Sequence, residues 1–212
     1  IGIAREYGIM IFADEIYDRL VMDGLEHVSV ASLAEDIPVV TMNGLSKSHF
    51  LCGYRCGWMV MSGPKNLTED YRQGIVQLTS MRLCANALAQ IVIPAALEDM
   101  ETPFSLVKPG GRIYEQREVA VGELEKIDGL SFVKNNSAFY IFPKLDVKKF
   151  HITDDKQFAR ELLHETNILI VPGSGFDWNC PDHFRIVLLP EAGVLRDAIK
   201  CMGKFLDGYR QR

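Results

Sequence analysis

Three short apolar runs constrain the fold of this chain more than any other feature. They read IMIFADE at residues 9–15, PVVTMNGLS at 38–46 and GWMVMSGP at 57–64. Each is a continuous apolar run, the pattern of a strand buried on both faces in a parallel sheet. Helical patterns alternate with these runs, and that alternation is typical of an α/β sheet. The sequence therefore predicts an α/β protein.

The composition fits a globular protein and excludes several classes of partner. Of the 212 residues, 48% are apolar and 24% are charged, and the net charge is −5 at pH 7. Since no basic stripe or long run of like charge occurs, nucleic acid and anionic membrane surfaces are not expected as partners. No apolar run reaches the roughly 20 residues of a membrane-spanning helix. The five cysteines are scattered and match no metal-ligand spacing, so we expect a cytoplasmic protein without a metal site.

The sequence texture changes near residue 130, which predicts two domains. We interpret residues 1–100 as part of a large domain, 101–130 as a connecting helix and 131–212 as a smaller α+β domain. Within the smaller domain, LSFVKNNSAFYIFPKL predicts a hairpin with NNS at its turn. The chain opens in IGIAREYG, which reads as the second half of an amphipathic helix without an N-cap signal. We therefore expect the sequence to be the C-terminal part of a longer chain.

Polar residues follow the first two apolar runs. Asp14 stands at a strand end, where open α/β sheets bind ligands, although a turn or N-cap role is equally open. Tyr17 comes three residues later, and half-buried tyrosines are common. Lys47 follows the second run, between Ser46 and a glycine-flanked Arg55. A partly desolvated lysine offers its amine as a nucleophile, and the alternative is an ordinary surface lysine. Arg55 is either a solvated charge or, with the Ser46 hydroxyl, a clamp for an anion such as phosphate.

Taken together, these residues resemble the fold-type I, pyridoxal-phosphate-dependent class I and II aminotransferases. FADEIYDRL is similar to that family's strand end, and NGLSKSHFLCGYRCGW to its cofactor-lysine segment, with departures at Phe50 and Cys56. PGSGFDW favours the alanine aminotransferase branch over aspartate or aromatic aminotransferases. Further resemblance to that branch, which transfers amino groups between alanine and 2-oxoglutarate, is carried by SMRLCANALAQ, PGGRIYEQR, AFYIFPKLD and DHFRIVLLP. The resemblance covers essentially the whole chain.

The resemblance implies roles for the residues around the cofactor, pyridoxal 5'-phosphate. Lys47 would form a Schiff base with it and carry a proton in a ping-pong transamination. Asp14 would pair with the protonated pyridine nitrogen and keep the ring an effective electron sink. Tyr17 would donate a hydrogen bond to the phenolic oxygen of the ring. Ser46 and Arg55 would hold the phosphate.

The resemblance also implies an architecture, a substrate site and partners. The chain would be the C-terminal part of a three-layer αβα large domain with a mainly parallel sheet, followed by a small α+β domain. Arg185 would grip the substrate α-carboxylate, although an arginine in an apolar strand can also be a snorkelling edge residue. The complete protein is expected to be a homodimer that binds amino acids and 2-oxo acids. The 212 residues alone are expected to be inactive, because the other half of the chain would supply the rest of the site.

Two other functions stay open. A β-lyase, an amino-acid cyclase or a decarboxylase can use the same fold and cofactor, because a fold does not fix a function. Transcription regulators can carry an aminotransferase-like domain as a sensor, preceded by a DNA-binding segment. The complete set of Asp14, Tyr17, Lys47, Arg55 and Arg185 argues against the regulator.

Overall fold

A computed structural model describes residues 1–211 of the chain. They form two compact units, the first from Ile1 to Ser105 and the second beginning at Leu106. The mixture of helices and paired strands confirms the predicted α/β class. The predicted boundaries at residues 100 and 130 stay predictions. The first unit contains α1 (Gly2–Tyr7), β1 (Ile11–Asp14), β2 (Val39–Gly44), α2 (Leu45–Ser48), β3 (Gly57–Ser62), α3 (Lys65–Arg82), α4 (Ala87–Glu98) and most of α5 (Glu101–Val107). The second unit contains α6 (Arg112–Leu124), β4 (Leu130–Ser131), β5 (Tyr140–Ile141), β6 (Lys144–Leu145), α7 (Val147–Phe150), α8 (Asp155–Thr166), β7 (Val171–Pro172), β8 (Phe184–Val187) and α9 (Ala192–Gly208).

The first unit is built on a three-stranded sheet in the order β1–β2–β3. β1 runs parallel to β2, with Asp14 opposite Met42. β3 runs antiparallel to β2, and its first residue, Gly57, lies opposite Gly44 at the end of β2. The chain therefore leaves β2 and enters β3 at the same edge of the sheet, so β3 has to run back along its neighbour.

The three strands differ in how deeply they are buried. Val39 and Val40 on the central strand β2 are buried, as the apolar run predicts. The expectation of burial on both faces is wrong for β1 and β3, because Phe12 is 53% exposed and Val60 is 57% exposed. In the described part of the chain, the outward faces of these two strands are incompletely covered.

Arg19 attaches the segment after β1 to the end of α4. Its Nη1 donates to the carbonyl oxygens of Ala96 and Asp99 at 3.1 and 3.3 Å, and its Nη2 donates to that of Leu97 at 3.0 Å. The last carbonyls of a helix lack intrahelical partners, and a cation near them also interacts favourably with the helix dipole. The contact restrains the backbone that follows the strand-end acid.

The second unit packs its helices on a small antiparallel sheet in the order β5–β8–β7. One stripe of α9 is buried and consists of Leu195, Ile199, Met202 and Leu206, at the spacing of a helix face that packs on a core. α9 also packs against α6. No helix in the described part of the chain is both long and apolar enough to cross a membrane.

The hairpin predicted for residues 130–145 is confirmed only at its two ends, where β4 and β6 pair antiparallel, and the pairing does not continue to the predicted turn at NNS. β4 pairs with β6 rather than with β5, with Leu130 opposite Leu145, and β5 pairs with β8. The backbone at residues 135–138 is irregular. The side-chain amide of Asn135 donates to the carbonyl oxygen of Ser137 at 2.9 Å, and Ala138 has a φ of 62°. A local side-chain bond of this kind competes with regular strand pairing.

We predict that Gly63→Ala strongly destabilises the first unit. Gly63 connects β3 to α3 with a φ of 97°, and an added Cβ would collide with the carbonyl oxygen of Ile37. Backbone strain and the clash together should lower the free energy of unfolding by about 2–4 kcal/mol. Urea unfolding of the complete protein measures the change.

The matched control is Gly74→Ala, inside α3. Apart from the backbone of its own helix, no atom of the described residues lies within 4 Å of a Cβ built on Gly74, and its backbone is helical. Since alanine is the better helix former, this variant should be more stable by up to about 1 kcal/mol. Equal effects of the two substitutions would contradict the role given to Gly63.

Candidate functional site at the strand ends

The carboxyl ends of β1 and β2 lie at one edge of the sheet in the first unit. The pairing continues one residue past β1, where the backbone N–H of Glu15 donates to the carbonyl oxygen of Met42 at 2.9 Å. Asp14 is exposed there, and its Oδ1 accepts a hydrogen bond from the backbone N–H of Ile16 at 3.2 Å. The carboxylate therefore takes part in a local turn. Its position at the carboxyl edge of parallel strands is also where ligands bind in open α/β sheets.

Three chain segments meet at Gly44. A Cβ built on this residue would lie 3.0 Å from the carbonyl oxygen of Cys56, 3.2 Å from the Cα of Gly57 and 3.5 Å from Cδ1 of Ile16. Only glycine allows so close an approach without a shift of the neighbouring backbone. These contacts bring together the segments of the strand-end acid, the lysine and the first predicted arginine.

Lys47 lies in the short helix α2, directly after the junction at Gly44. The helix is anchored by Leu45, which is buried, and by bonds from the backbone N–H groups of His49 and Leu51 to the Leu45 carbonyl oxygen at 3.4 and 3.2 Å. Ser46 and Lys47 are both half-buried. The structure thus places the two consecutive residues Ser46 and Lys47 on an anchored backbone at the carboxyl edge of the sheet.

Arg55 has a strained backbone. Its φ of 53° and ψ of 47° place it in the left-handed region, and its Nη1 donates to the carbonyl oxygen of Cys52 at 2.9 Å. A left-handed conformation costs a residue other than glycine about 1–2 kcal/mol. Such strain is concentrated at functional sites, where the surroundings maintain it. The guanidinium is exposed, so it remains accessible to an anion.

Tyr17 lies in the turn that follows the strand-end acid. The backbone N–H of Leu20 donates to the carbonyl oxygen of Tyr17 at 2.9 Å, and the side chain is half-buried. Five of the predicted site residues, Asp14, Tyr17, Ser46, Lys47 and Arg55, therefore belong to the first unit. The sixth, Arg185, belongs to the second unit.

Glu15 is a buried carboxylate that the sequence analysis did not identify. It is 9% exposed, and its oxygens accept hydrogen bonds from the backbone N–H of Val30 at 2.9 Å and from Ser29 Oγ at 3.0 Å. His27 Nε2 lies 3.0 Å from Glu15 Oε2. Glu15 therefore fastens the loop after β1 to the strand end. No signal in the sequence separates it from its neighbour Asp14, because the partners are 12 to 15 residues away.

Burial and hydrogen bonding act in opposite directions on the pKa of Glu15. Burial raises it by disfavouring the charged form. The hydrogen bonds from His27, Val30 and Ser29 favour the carboxylate and together outweigh burial, so the pKa lies below its ordinary value of 4.5. The adjacent carboxylates at the strand end thus have different tasks, since Asp14 is exposed and Glu15 fixes a loop.

Arg185 lies in the middle of the sheet of the second unit. In β8 its flanking residues Phe184 and Ile186 are buried, whereas Arg185 is half-buried on the opposite face. Its guanidinium carbon is 4.4 Å from the ring centroid of Tyr140 and 4.3 Å from that of Phe176. The predicted arginine therefore lies against two aromatic rings, which the sequence analysis did not identify.

The guanidinium of Arg185 has no carboxylate counter-ion in the part of the chain that the structure describes. Within residues 1–211, no carboxylate lies at ion-pair distance from it, and its buried Nε has no hydrogen-bond acceptor. A buried donor without an acceptor is costly, and such a group in a native structure requires an explanation. A ligand carboxylate would supply the missing charge and acceptors, because its geometry matches the guanidinium fork.

The described residues contain no cluster of His, Cys, Asp or Glu side chains arranged to hold a metal ion. All five cysteines lie in the described part of the chain, and none of them forms a disulfide. The chemistry available at the strand ends is therefore that of an amine, a hydroxyl, a phenol, a carboxylate and a guanidinium.

Comparison with known proteins identifies close relatives. The model of the family described as "Aminotransferase class I and II" matches residues 1–199. The chain is 46% identical over 211 residues to the glutamate-pyruvate aminotransferase AlaA of Haemophilus influenzae, covering 100% of the chain and 52% of the relative. It is 44% identical over 211 residues to the alanine aminotransferase of Mycobacterium tuberculosis, covering 100% of the chain and 49% of that protein.

Solved structures agree with these relatives. An aminotransferase from Escherichia coli superimposes with a TM-score of 0.96 at 44% identity, over 100% of this chain and 52% of that one. The alanine aminotransferase of Pyrococcus furiosus gives a TM-score of 0.90 at 39% identity, over 97% of this chain and 51% of that one. The chain spans about half the length of the curated relatives it matches.

We predict that Glu15→Gln destabilises the protein at neutral pH and that this effect fades in acid. The pKa of Glu15 is lowered in the folded state, so its stabilising effect is present above its ordinary pKa of 4.5 and is lost as the pH falls through the folded-state value. At pH 7 the loss of charge-assisted hydrogen bonds should cost about 1–3 kcal/mol. Urea unfolding of the wild type and the variant over a pH series measures the difference.

The control is Glu26→Gln, in the exposed part of the same loop. It should unfold like the wild type at every pH. A stability difference for Glu15→Gln that stays constant from neutral pH into acid would contradict the prediction. It would show that the stabilising contribution of Glu15 does not depend on its negative charge.

Proposed function

Because the chain belongs to the class I and II aminotransferase family, we propose that the complete protein is a pyridoxal-phosphate-dependent aminotransferase acting on alanine and 2-oxoglutarate. The observation that carries this proposal is the junction at Gly44, where the segments of Asp14, Lys47 and Arg55 approach within van der Waals contact. The names of the relatives, glutamate-pyruvate and alanine aminotransferases, support the substrate pair.

The residues at the junction fit pyridoxal phosphate by their chemistry. The cofactor presents an aldehyde, a phosphate, a phenolic oxygen and a basic ring nitrogen, and each has a complementary group in the first unit. The Lys47 amine suits the aldehyde, and the Ser46 hydroxyl and the exposed Arg55 guanidinium suit the phosphate. The Tyr17 phenol suits the phenolic oxygen, and the Asp14 carboxylate suits the ring nitrogen.

The proposed mechanism assigns one task to each side chain. When bound, pyridoxal phosphate supplies an electron-withdrawing ring that stabilises negative charge at the substrate α-carbon. Lys47 would hold the cofactor covalently, and its amine, once freed, would accept the proton of the substrate α-carbon and later give one back. The Asp14 carboxylate would favour a proton on the ring nitrogen, because an opposite charge nearby favours the protonated form. The Tyr17 phenol would donate a hydrogen bond to the phenolic oxygen of the ring.

Arg185 is the proposed ligand of the substrate α-carboxylate. Its guanidinium has no carboxylate partner among the described residues, and its Nε has no hydrogen-bond acceptor. A substrate carboxylate would balance the positive charge of Arg185 and accept the hydrogen bond from Nε. A planar guanidinium binds a carboxylate through two parallel hydrogen bonds, which fixes the orientation of the substrate as well as its affinity.

The proposal concerns the complete protein, since the chain covers about half of its relatives. We propose a cytoplasmic homodimer in which residues 1–100 belong to a large cofactor-binding domain, 101–130 form a connecting helix and 131–212 form a small domain. The odd number of cysteines and the absence of a disulfide among them agree with a reducing compartment.

We predict that Lys47→Ala abolishes transamination. The complete wild-type protein, given alanine and 2-oxoglutarate, should form pyruvate and glutamate in equal amounts without free ammonia, and should show the near-visible absorbance of a lysine-bound cofactor. Lys47→Ala should lose that absorbance and reduce the rate by at least about a thousandfold, because it removes both the covalent attachment and the proton carrier.

Lys65→Ala is the matched control, because Lys65 is an exposed lysine at the start of α3. It should retain the absorbance and the rate. Retention of the absorbance in Lys47→Ala would refute the role of Lys47, and release of ammonia instead of glutamate would refute transamination in favour of a lyase.

We predict that Arg185→Lys weakens substrate binding. Lysine keeps the charge but cannot form the two parallel bonds, so the KM values for the amino acid and the oxo acid should both rise by about thirtyfold to a hundredfold, equivalent to about 2–3 kcal/mol. Steady-state kinetics with each substrate varied in turn measures the effect. Unchanged KM values would exclude Arg185 from carboxylate binding.

A further inference from the structure

The sheet of the second unit places an aromatic ring beside Arg185 through strand register. Tyr140 of β5 lies opposite Val187 of β8, and Val187 is two residues from Arg185 on the same strand. Residues two apart point to the same face of a sheet, and diagonal neighbours across strands are within reach of an aromatic side chain. Tyr140 is therefore on the face that carries Arg185, and its ring centroid lies 4.4 Å from the guanidinium carbon.

A second ring covers the guanidinium from the short 3-10 helix at Gly173–Phe176. The ring centroid of Phe176 lies 4.3 Å from the guanidinium carbon. The backbone that carries this ring is held close to β8, because the N–H of Gly173 donates to the carbonyl oxygen of His183 at 2.8 Å. Both rings are within the distance at which a cation interacts favourably with a π face.

Asp155, at the first turn of α8, fastens the segment that carries Phe176. Its Oδ2 accepts a hydrogen bond from the backbone N–H of Ser174 at 2.7 Å, and its Oδ1 accepts one from Ser174 Oγ at 2.9 Å. Asp155 is itself buried, and hydrogen bonds to a buried carboxylate are among the stronger ones in proteins. These bonds restrain the segment that carries Phe176, and its ring remains beside Arg185 although Phe176 is 44% exposed.

We propose that Tyr140 and Phe176 are positioning residues that hold the Arg185 guanidinium for the substrate carboxylate, and that Asp155 fixes Phe176 in that position through Ser174. The inference rests on the proposed carboxylate role of Arg185. Aromatic rings contact the flat face of a guanidinium, whereas its N–H donors point outward from its edge. The donors therefore remain available to a carboxylate. The two rings also restrict the rotamers of a long side chain before substrate arrives, which lowers the ordering cost of binding.

The proposed positioning role predicts which substitutions of Tyr140 and Phe176 the protein tolerates. The rings contribute through their faces rather than through a bond to substrate, so a different aromatic residue should function and an aliphatic residue should not. The contribution belongs to the binding of the carboxylate and not to proton transfer at the α-carbon. Loss of a ring should therefore change KM and leave kcat nearly unaffected.

The experiment uses the complete protein loaded with pyridoxal phosphate. Phe176→Leu and Tyr140→Leu remove one ring each, whereas Phe176→Tyr and Tyr140→Phe retain it. We expect each leucine variant to raise the KM of the amino acid and the oxo acid by about tenfold, equivalent to about 1.4 kcal/mol, with kcat within about twofold of the wild type. The two conservative variants should restore KM to within about twofold.

Binding without turnover provides a second readout. Glutarate is a five-carbon dicarboxylate without an amino or oxo group, so calorimetric titration of the loaded protein measures carboxylate binding alone. Its Kd should rise by about tenfold in the leucine variants. Phe205→Leu is the matched control, since Phe205 is a half-buried aromatic residue of the same unit that contacts Phe158 and Tyr209 instead. It should leave KM and the glutarate Kd unchanged.

The outcomes separate this proposal from the proposed function. If Arg185→Lys weakens glutarate binding and both leucine variants leave KM and Kd within twofold of the wild type, the positioning role is overturned and the role of Arg185 stands. If Arg185→Lys has no effect, the carboxylate site itself is overturned. If Tyr140→Leu does not fold, Phe176→Leu alone decides, and a fall in its kcat with unchanged KM would also overturn the proposal.

Discussion

The parallel pairing of β1 with β2 is the constraint on which the candidate site depends. It places Asp14 opposite Met42 and so brings a strand-end carboxylate to the edge at which the chain turns into the lysine helix. The close approach at Gly44 then adds the segment of Arg55, because a Cβ at this position would press on the carbonyl oxygen of Cys56. The segments that carry an acid, an amine and a guanidinium thereby meet at one edge of the sheet.

The two units differ in how their charged side chains are supplied with partners, as Glu15 and Arg185 show. In the first unit the buried carboxylate Glu15 is fully supplied with donors, and it stabilises a loop rather than taking part in chemistry. In the second unit the guanidinium of Arg185 lies against two aromatic rings and has no carboxylate partner among the described residues. The bonded carboxylate of Glu15 stabilises the fold, whereas the missing acceptor at Arg185 Nε is the observation that supports its proposed role in carboxylate binding.

Several features could be predicted because their causes are local. The apolar runs located the three strands of the first unit, and the acidic start of DDKQFARELLHETN located α8, where Asp154 accepts bonds from the backbone N–H groups of Lys156 and Gln157. The pairing of β4 with β6 follows from the predicted hairpin, but the partner of β5 could not be predicted in this way. The segment at NNS reads as a hairpin turn, but β5 pairs with the distant β8, and that choice depends on which strand completes the buried face of the sheet.

The sequence by itself determined the elements and the chemical groups: a lysine beside a serine, an acid at a strand end, and an arginine in an apolar strand, in an order shared with the class I and II aminotransferases. Only the tertiary structure decided how these groups are supported. The burial of Glu15, the antiparallel direction of β3 and the two rings beside Arg185 all depend on contacts between separate segments of the chain. Such contacts form because the apolar faces of the sheet and the helices are buried against one another. A local sequence pattern does not specify which elements will pack together.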